Sequence, residues 1–447
     1  MILELLRERG RDAMSFLAVE SAMRHWQDEP PPEGTGACVS YVDTGTAWVA
    51  ACGPLLDGAA PDPSAASARF VAAARARGKR ACFFATEQAD VEGMSRLLIG
   101  EQPVFHPRDW LERLHERKRL REQLRRARAK GVRVRRVDDT ELAPAAPLRV
   151  EIDALAHAWL ASRHIEPMGF LVAVEPFHHP AEHRYLVAER AGRVVAFLSA
   201  VPIYARRAWL VEDLFRAPDA PNGTTETLLH ALLTAVAPDE RVTLGLTPLS
   251  GPVAWPLRLA RWVSRPLFDF AGLRAFRERM RAHAWERVWL LYPRGQPAWL
   301  TLVDSLRAFA RGSLVRFAAA SFARHPSGLP WLLAFPLAPW TLVLAWLATT
   351  GHARLLGFHH VELLLWVAFD ALLLVLLVRA AMRPRASRML VATGLAGIDA
   401  TLSVGHIGFV GFGVTVAAHV LRAMATGAPL LGTLLLAWSL SRTRSPA

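Results

Sequence analysis

The sequence predicts an α/β soluble part followed by an α-helical membrane region of about four transmembrane helices. Three observations carry that expectation. Short β-branched and aromatic runs alternate with amphipathic helical stretches up to about residue 297. Beyond them, residues 326–351 hold no Asp, Glu, Lys, Arg or His, a run longer than the ~20 residues that cross a hydrocarbon core. Finally, 52% of the 447 residues are hydrophobic and 21% charged, too apolar for disorder and high for an ordinary water-soluble enzyme.

The soluble part comes first. Its N-terminus, Met1-Ile-Leu-Glu-Leu-Leu-Arg-Glu-Arg9, interrupts its apolar positions with charge, so no secretory signal is expected. Candidate strands are Ala47–Ala51, Arg80–Ala85, Val132–Val137, Tyr185–Glu189, Val194–Val201, Ala208–Phe215 and Val242–Leu246. The acidic, proline-containing stretch Asp138–Leu148 reads as a boundary, dividing residues 1–138 from 139–297. Cys38, Cys52 and Cys82 are odd in number and lack ligand spacing, so they read as buried small residues, with no disulfide framework and no metal site.

Residues 298–325 place Trp299, Leu302, Val303, Leu306 and Phe309 at helical spacing, with Asp304, Arg307 and Arg311 interleaved. That pattern suits a helix lying in the headgroup plane, or a surface helix packed on the preceding domain. The membrane domain, 326–447, is expected to hold spans at about 326–351, Leu363–Val378, Met389–Val404 and Ala423–Leu440. Arginines before the first span, between the second and third, and after the fourth put both ends of the domain in the cytoplasm. The protein is thus expected in the inner membrane, multi-pass, with its N-terminal part cytoplasmic; a fifth or re-entrant span at Gly405–Leu421 is the alternative. Asp370 and Asp399 fall inside spans, where a carboxyl group serves either function or a hydrogen-bonded helix contact.

Two stretches bear on chemistry. Pro107–Arg136 carries thirteen basic and four acidic residues, mostly in a helical pattern, within a chain whose formal net charge is +13. Lys118, Arg119, Arg121, Arg125 and Arg128 can track a phosphate backbone without reading bases, although an anionic membrane surface would attract them too. The second stretch, Trp209–Arg216 followed by Ala217–Gly223, reads as a strand, an Asn222-Gly223 turn and a helix N-terminus, a place where backbone N–H groups can face an anion or oxyanion. On an ideal strand Asp213 and Arg216 face opposite sides, so a bend or bulge near Phe215 is needed to bring both to one site.

Most of residues 1 to 293 resembles the phosphatidylglycerol lysyltransferase C-terminal domain family, the synthetase part of bacterial enzymes that move an amino acid from aminoacyl-tRNA to a membrane lipid. The resemblance rests on the basic helix followed by Gly131-Val132, Trp159, Met168-Gly169-Phe170, Gly192–Phe197, Asp213-Leu-Phe-Arg216, Ala220–Gly223, Leu244–Ser250, Phe270-Ala-Gly-Leu273, and Trp285 through Pro293. It implies tandem acetyltransferase-like (GNAT-like) halves, the second catalytic. It also implies Asp213 and Arg216 as catalytic residues, and Asn222, Gly223, Gly169, Phe170, Arg277 and Arg279 as substrate-binding ones. An aminoacyl ester is already activated, so its transfer to a hydroxyl needs no metal and no cofactor. Asp213 would orient the aminoacyl amine or take up the hydroxyl proton, and Arg216 would hold a phosphate or the carbonyl oxygen. Ala271 and Met168 depart from the family pattern and leave the amino acid open.

The expected partners are aminoacyl-tRNA, an anionic phospholipid and the bilayer. Two other classes stay in view: an acyl-CoA-dependent N- or O-acyltransferase on the same fold, and a non-catalytic membrane-tethered binding protein. The first is disfavoured by the lack of a Gln/Arg-x-x-Gly-x-Gly/Ala loop after the Asp213 strand.

Overall fold

A computed structural model describes residues 2–28, 36–56, 62–163, 165–264, 268–324, 328–350, 359–382 and 386–410. Among these, the strands are β1 (Arg24–Gln27), β2 (Ala37–Asp43), β3 (Ala47–Ala51), β4 (Leu55–Leu56), β5 (Arg80–Thr86), β6 (Met94–Phe105), β7 (Arg133–Val137), β8 (Arg184–Arg190), β9 (Arg193–Ile203), β10 (Ala208–Arg216), β11 (Arg241–Thr243), β12 (Thr247–Pro248) and β13 (Ala284–Pro293). The helices are α1 (Ile2–Arg9), α2 (Pro63–Ala76), α3 (Trp110–His115), α4 (Lys118–Ala129), α5 (Pro147–Ala161), α6 (Thr224–Ala235), α7 (Trp255–Val263), α8 (Phe270–Arg279), α9 (Ala298–Phe309), α10 (Leu314–Arg324), α11 (Gly328–Thr349), α12 (His360–Met382) and α13 (Ala386–Val410).

All strands join one mixed sheet in the order β1-β2-β3-β5-β13-β6-β11-β10-β9-β8-β7, with β12 on β6 and β4 on β2. Two pairings are parallel, β3 with β5 and β10 with β11; the others are antiparallel. Each parallel pair is bridged by one helix, α2 or α6, because parallel neighbours need a crossover long enough to return the chain to the same edge. The same strand–helix–strand device therefore occurs twice. The two sets also exchange strands at the centre. β6 pairs with β11 of the later set, and β13, last in sequence, lies between β5 and β6. Strand pairing also puts β7, which precedes residue 138, with the later set through β8.

The helices bury apolar faces at helical spacing: Ala66, Phe70 and Ala74 from α2, Ile152, Leu155 and Ala156 from α5, and Leu228, Leu229, Leu232 and Leu233 from α6. Around α5 and α6 the largest apolar cluster forms against β8, β9 and β10, with Phe197 and Tyr185 fully buried. All three cysteines are buried and free. Burial pushes the Cys38 thiol up to about 11 and that of Cys82 to about 12, which leaves both protonated and inert at neutral pH.

The chain divides into two compact units, one comprising residues 1–163, 167–265 and 269–317, the other residues 164–166, 266–268 and 318–447. The second unit contains α11, α12 and α13. The expected spans at Leu363–Val378 and Met389–Val404 lie within α12 and α13, that at 326–351 overlaps α11 and runs past it on both sides, and the fourth, 423–440, lies outside the described residues. Among the described residues, α12 is the helix long and apolar enough to cross a membrane. In this unit Asp370 and Asp399 are both buried, and Asp399 Oδ1 has no hydrogen-bond partner.

Candidate active site

The site grows from an irregularity in β10. Val211 pairs with Ala200 and Asp213 with Ser199, so Glu212 is an extra residue without a partner in the ladder, a β-bulge. The bulge lies upstream of Asp213, not near Phe215 as the sequence reading required. From Asp213 to Arg216 the register with Ser199–Ala196 is unbroken, and the odd separation leaves the two side chains on opposite faces. At the bulge the Glu212 side chain meets His183 Nε2 at 2.9 Å, while His183 Nδ1 faces the His179 carbonyl oxygen at 3.0 Å. Phe16 and Tyr185 flank the imidazole at ring-centroid distances of 5.5 and 5.3 Å.

Asp213 is 6% exposed. Ser199 Oγ accepts from its backbone N–H at 3.1 Å and donates to its Oδ2 at 3.2 Å. Burial, reinforced by the charges of Glu212 and Glu20, pushes the Asp213 carboxyl well above the ordinary carboxylate range; the Ser199 hydrogen bond pulls the other way. Glu20, just beyond the 3-10 turn Ser15–Val19, is also buried. Its carboxyl is pushed up to about 8 by burial first, with Glu212 and Glu175 adding, while the Leu171 N–H, donating at 3.3 Å, lowers it. Sequence reasoning missed Glu20, Ser199 and His183. Glu212 adjoins Asp213 and was available; Glu20 enters only through tertiary folding.

The Glu20 carboxyl makes a testable contribution to stability. Its folded value lies above its ordinary 4.5, so the stability it contributes is fully present below pH 4.5 and is lost as pH rises through about 8. Glu20→Gln keeps an acceptor for Leu171 and removes the charge. Melts of wild type and variant should coincide most closely near pH 5, with the variant melting higher by an amount that grows toward pH 8.5.

Gly169 and Phe170 lie on the segment that reaches Glu20. Phe170 and Leu171 are consecutive non-glycine residues at φ of +42° and +60°, a conformation that costs about 1–3 kcal/mol each and persists only where surroundings impose it. They are imposed by Phe84 and Phe309, whose rings lie 6.0 and 5.4 Å from Phe170, and by Gly169 N–H donating to the Phe309 carbonyl at 3.0 Å.

Arg216 stands apart from this cluster. Its Nη1 donates to the Ala220 carbonyl at 2.9 Å, closing the turn that ends in Asn222 and Gly223. Arg163, at the end of α5, packs its guanidinium 4.2 Å over Trp159. Burial and then Arg216 lower its basicity, which marks two cations close enough to repel. Asn222 is exposed and Gly223 buried. Gly223 adopts φ +97°, and a Cβ there would lie 2.6 Å from the Gln123 carbonyl oxygen of α4, so only glycine fits. The basic helix thus seats directly on the turn ahead of α6, helped by Gln123 Nε2 donating to Glu226 at 2.8 Å.

In α4, Leu120, Leu124 and Ala127 face inward, while Lys118, Arg119, Arg121, Arg125 and Arg128 are exposed. Glu122 is the acid among them. Hydrogen bonds from Arg125, then Arg126, hold it down at about 2, so it stays ionised and offsets one charge of the array. Arg277 is enclosed: Nη1 donates to the Gly245 carbonyl at 2.8 Å and Thr247 Oγ1 at 2.6 Å, and Nη2 to the Leu244 carbonyl at 2.6 Å. Burial brings it down to about 9. Arg279 is exposed on the same helix.

One group elsewhere has the donor types of a metal centre, His106, Asp109 and His283. His283 Nδ1 accepts the His106 backbone N–H at 3.2 Å and Nε2 faces Asp109 Oδ2 at 2.9 Å, so neither ring nitrogen has a lone pair to spare. It is an aspartate–histidine pair stacked on a second imidazole, with ring centroids 4.5 Å apart.

Residues 3–292 match the model of the family "Phosphatidylglycerol lysyltransferase, C-terminal". The chain is 32% identical over 143 residues to the lysylphosphatidylglycerol biosynthesis bifunctional protein LysX of Mycolicibacterium gilvum, covering 31% of this chain and 12% of that protein. It is 30% identical over 199 residues to the same-named protein of Mycobacterium sp. strain JLS, covering 42% and 16%. Among solved structures, a C-terminal domain assigned to a lysylphosphatidylglycerol synthetase of Agrobacterium fabrum aligns at TM-score 0.58 and 21% identity, over 70% of this chain and 97% of that one. L-PGS from Bacillus licheniformis aligns at 0.57 and 20%, over 69% and 96%. At these identities the two structures establish the mixed α/β fold.

Proposed function

The chain belongs to the phosphatidylglycerol lysyltransferase C-terminal family, and from that premise we propose that it moves an aminoacyl group from aminoacyl-tRNA to the hydroxyl of a membrane lipid such as phosphatidylglycerol. The observation that carries the proposal is the buried carboxyl of Asp213 at the β10 bulge, raised in basicity and set among Ser199, Glu212 and Glu20. A carboxylate made more basic by burial accepts a proton from a hydroxyl more readily than an exposed one. In the transfer, the lipid oxygen bonds to the ester carbonyl carbon and the bond to the ribose oxygen breaks. The hydroxyl proton passes through Asp213 to the departing ribose oxygen. The same acidic surroundings favour the ammonium group of the aminoacyl moiety, whose charge compensates theirs.

Arg216, with Arg163 beside it, offers positive charge for a phosphate, and exposed Lys118, Arg119, Arg121, Arg125 and Arg128 offer a track for the tRNA backbone. No metal or cofactor is required by this chemistry. In the membrane, α11–α13 and a fourth span would hold the site at the cytoplasmic leaflet. The tight seat of α4 on the turn before α6 favours this reading over an acyl-CoA transferase, whose pyrophosphate would need that helix N-terminus open.

The test is lipid mass spectrometry of cells with and without the gene, joined to transfer assays on isolated membranes. The expected result is a lipid head group heavier by one aminoacyl residue, formed in a reaction abolished by ribonuclease. A product that survives ribonuclease but requires acyl-CoA would overturn the proposal.

A further inference from the structure

Two helices of the first unit present apolar faces outward. On α7, Trp255, Leu259 and Trp262 are 67%, 51% and 72% exposed, at the i, i+4, i+7 spacing of a single helix face, while Leu257 turns inward. On α9, Trp299 and Leu306 are 64% and 55% exposed, whereas the buried face is Thr301, Asp304, Ser305 and Ala308. Leu302 and Phe309 also pack inward, so the helix carries apolar side chains on both its covered and its exposed sides. Its carboxylate is turned inward to Arg80, at 2.6 and 2.8 Å, and to Thr46 at 3.1 Å. The two helices lean on one apolar cluster through Leu257, Val253 and Leu302.

We propose that α7 and α9 together form a face that lies in the headgroup layer of an anionic bilayer. Three exposed tryptophans with two leucines match the chemistry of that layer, where an indole buries its rings and keeps its N–H wet. Charge selects the lipid over other occupants. Residues 252–264 and 297–317 contain one carboxylate, the inward-turned Asp304, while Arg258, Arg311 and Arg316 are exposed. A rim of that one sign complements anionic headgroups and repels a second copy of itself. α7 is far along the chain from the apolar helices, so no tether forces it to the membrane. The inference goes beyond the proposed transfer reaction in naming the surface on which the soluble part rests. Arg261 on α7 donates to the Leu249 carbonyl at 3.1 Å, on the segment that Arg277 also grips at Leu244 and Gly245, which ties α7 to α8 through that segment.

The experiment uses the full-length chain in nanodiscs of phosphatidylglycerol and phosphatidylethanolamine. Leu259→Cys and Leu306→Cys carry an environment-sensitive fluorophore, Glu92→Cys and Arg133→Cys are exposed controls, and the unsubstituted chain is the blank for its buried thiols. At 259 and 306 the emission should shift to the blue, with several-fold stronger quenching by nitroxide lipids than by iodide, and the controls should show the reverse. Iodide quenching at 259 equal to the controls would overturn the proposal in favour of a water-facing surface. Protection from both quenchers would overturn it in favour of a protein occupant. Because the readout is position, it can fail while lipid aminoacylation stands, or succeed while that reading fails.

Discussion

Asp213→Asn is expected to lower the rate of lipid aminoacylation on the order of 10²–10³-fold, the usual contribution of a positioned proton acceptor. The amide has the shape of the carboxyl and can still meet Ser199, so the bulge has no reason to move. Stability should respond in the opposite sense. A buried carboxyl raised above its ordinary value stabilises the fold at acidic pH and loses that contribution as pH rises through its folded value. The asparagine variant should therefore melt no lower than wild type at pH 8, and tRNA affinity should be unchanged. A variant that is stable, binds tRNA and still transfers at the wild-type rate would remove Asp213 from the reaction.

The second large effect is expected at α4. Replacing Arg119, Arg121, Arg125 and Arg128 together by alanine removes exposed cations and leaves the buried Leu120, Leu124 and Ala127 in place, so the packing of the helix is retained. If these arginines track a tRNA backbone, the slope of log affinity against log salt should fall by about 3, and binding at low salt should weaken by about 10²-fold. Filter binding across a salt series measures both. Unchanged tRNA binding with weakened attachment to anionic vesicles would assign the helix to the membrane surface instead.

Strands that alternate or run continuously apolar were legible. β3 coincides with Ala47–Ala51, and β5, β8, β9 and β10 extend their expected ranges by one to three residues. β6 was not, because Gly100 and Pro103 break its pattern. The glycine is there to admit β12, whose Thr247 carbonyl oxygen would lie 2.2 Å from a Cβ. The bulge at Glu212 was misplaced for a similar reason: a ladder irregularity depends on the register with the partner strand, which the local run does not reveal. The basic helix was readable as an electrostatic feature, but its seating on the Gly223 turn was not. On α9 the apolar spacing was visible, yet sequence alone does not tell that Asp304 would be drawn inward and Trp299 and Leu306 left outside.

The exchange of strands at the centre of the sheet governs the order in which the molecule can be assembled. β5 and β6 are made early but cannot neighbour one another, since the place between them is reserved for β13. Until the ribosome has delivered residue 293, two long strands carry unsatisfied edges, the condition under which nascent chains stick to one another or to chaperones. Closure of the sheet in the first unit thus waits for its last strand, which precedes the apolar helices of the second unit by only a short stretch of chain.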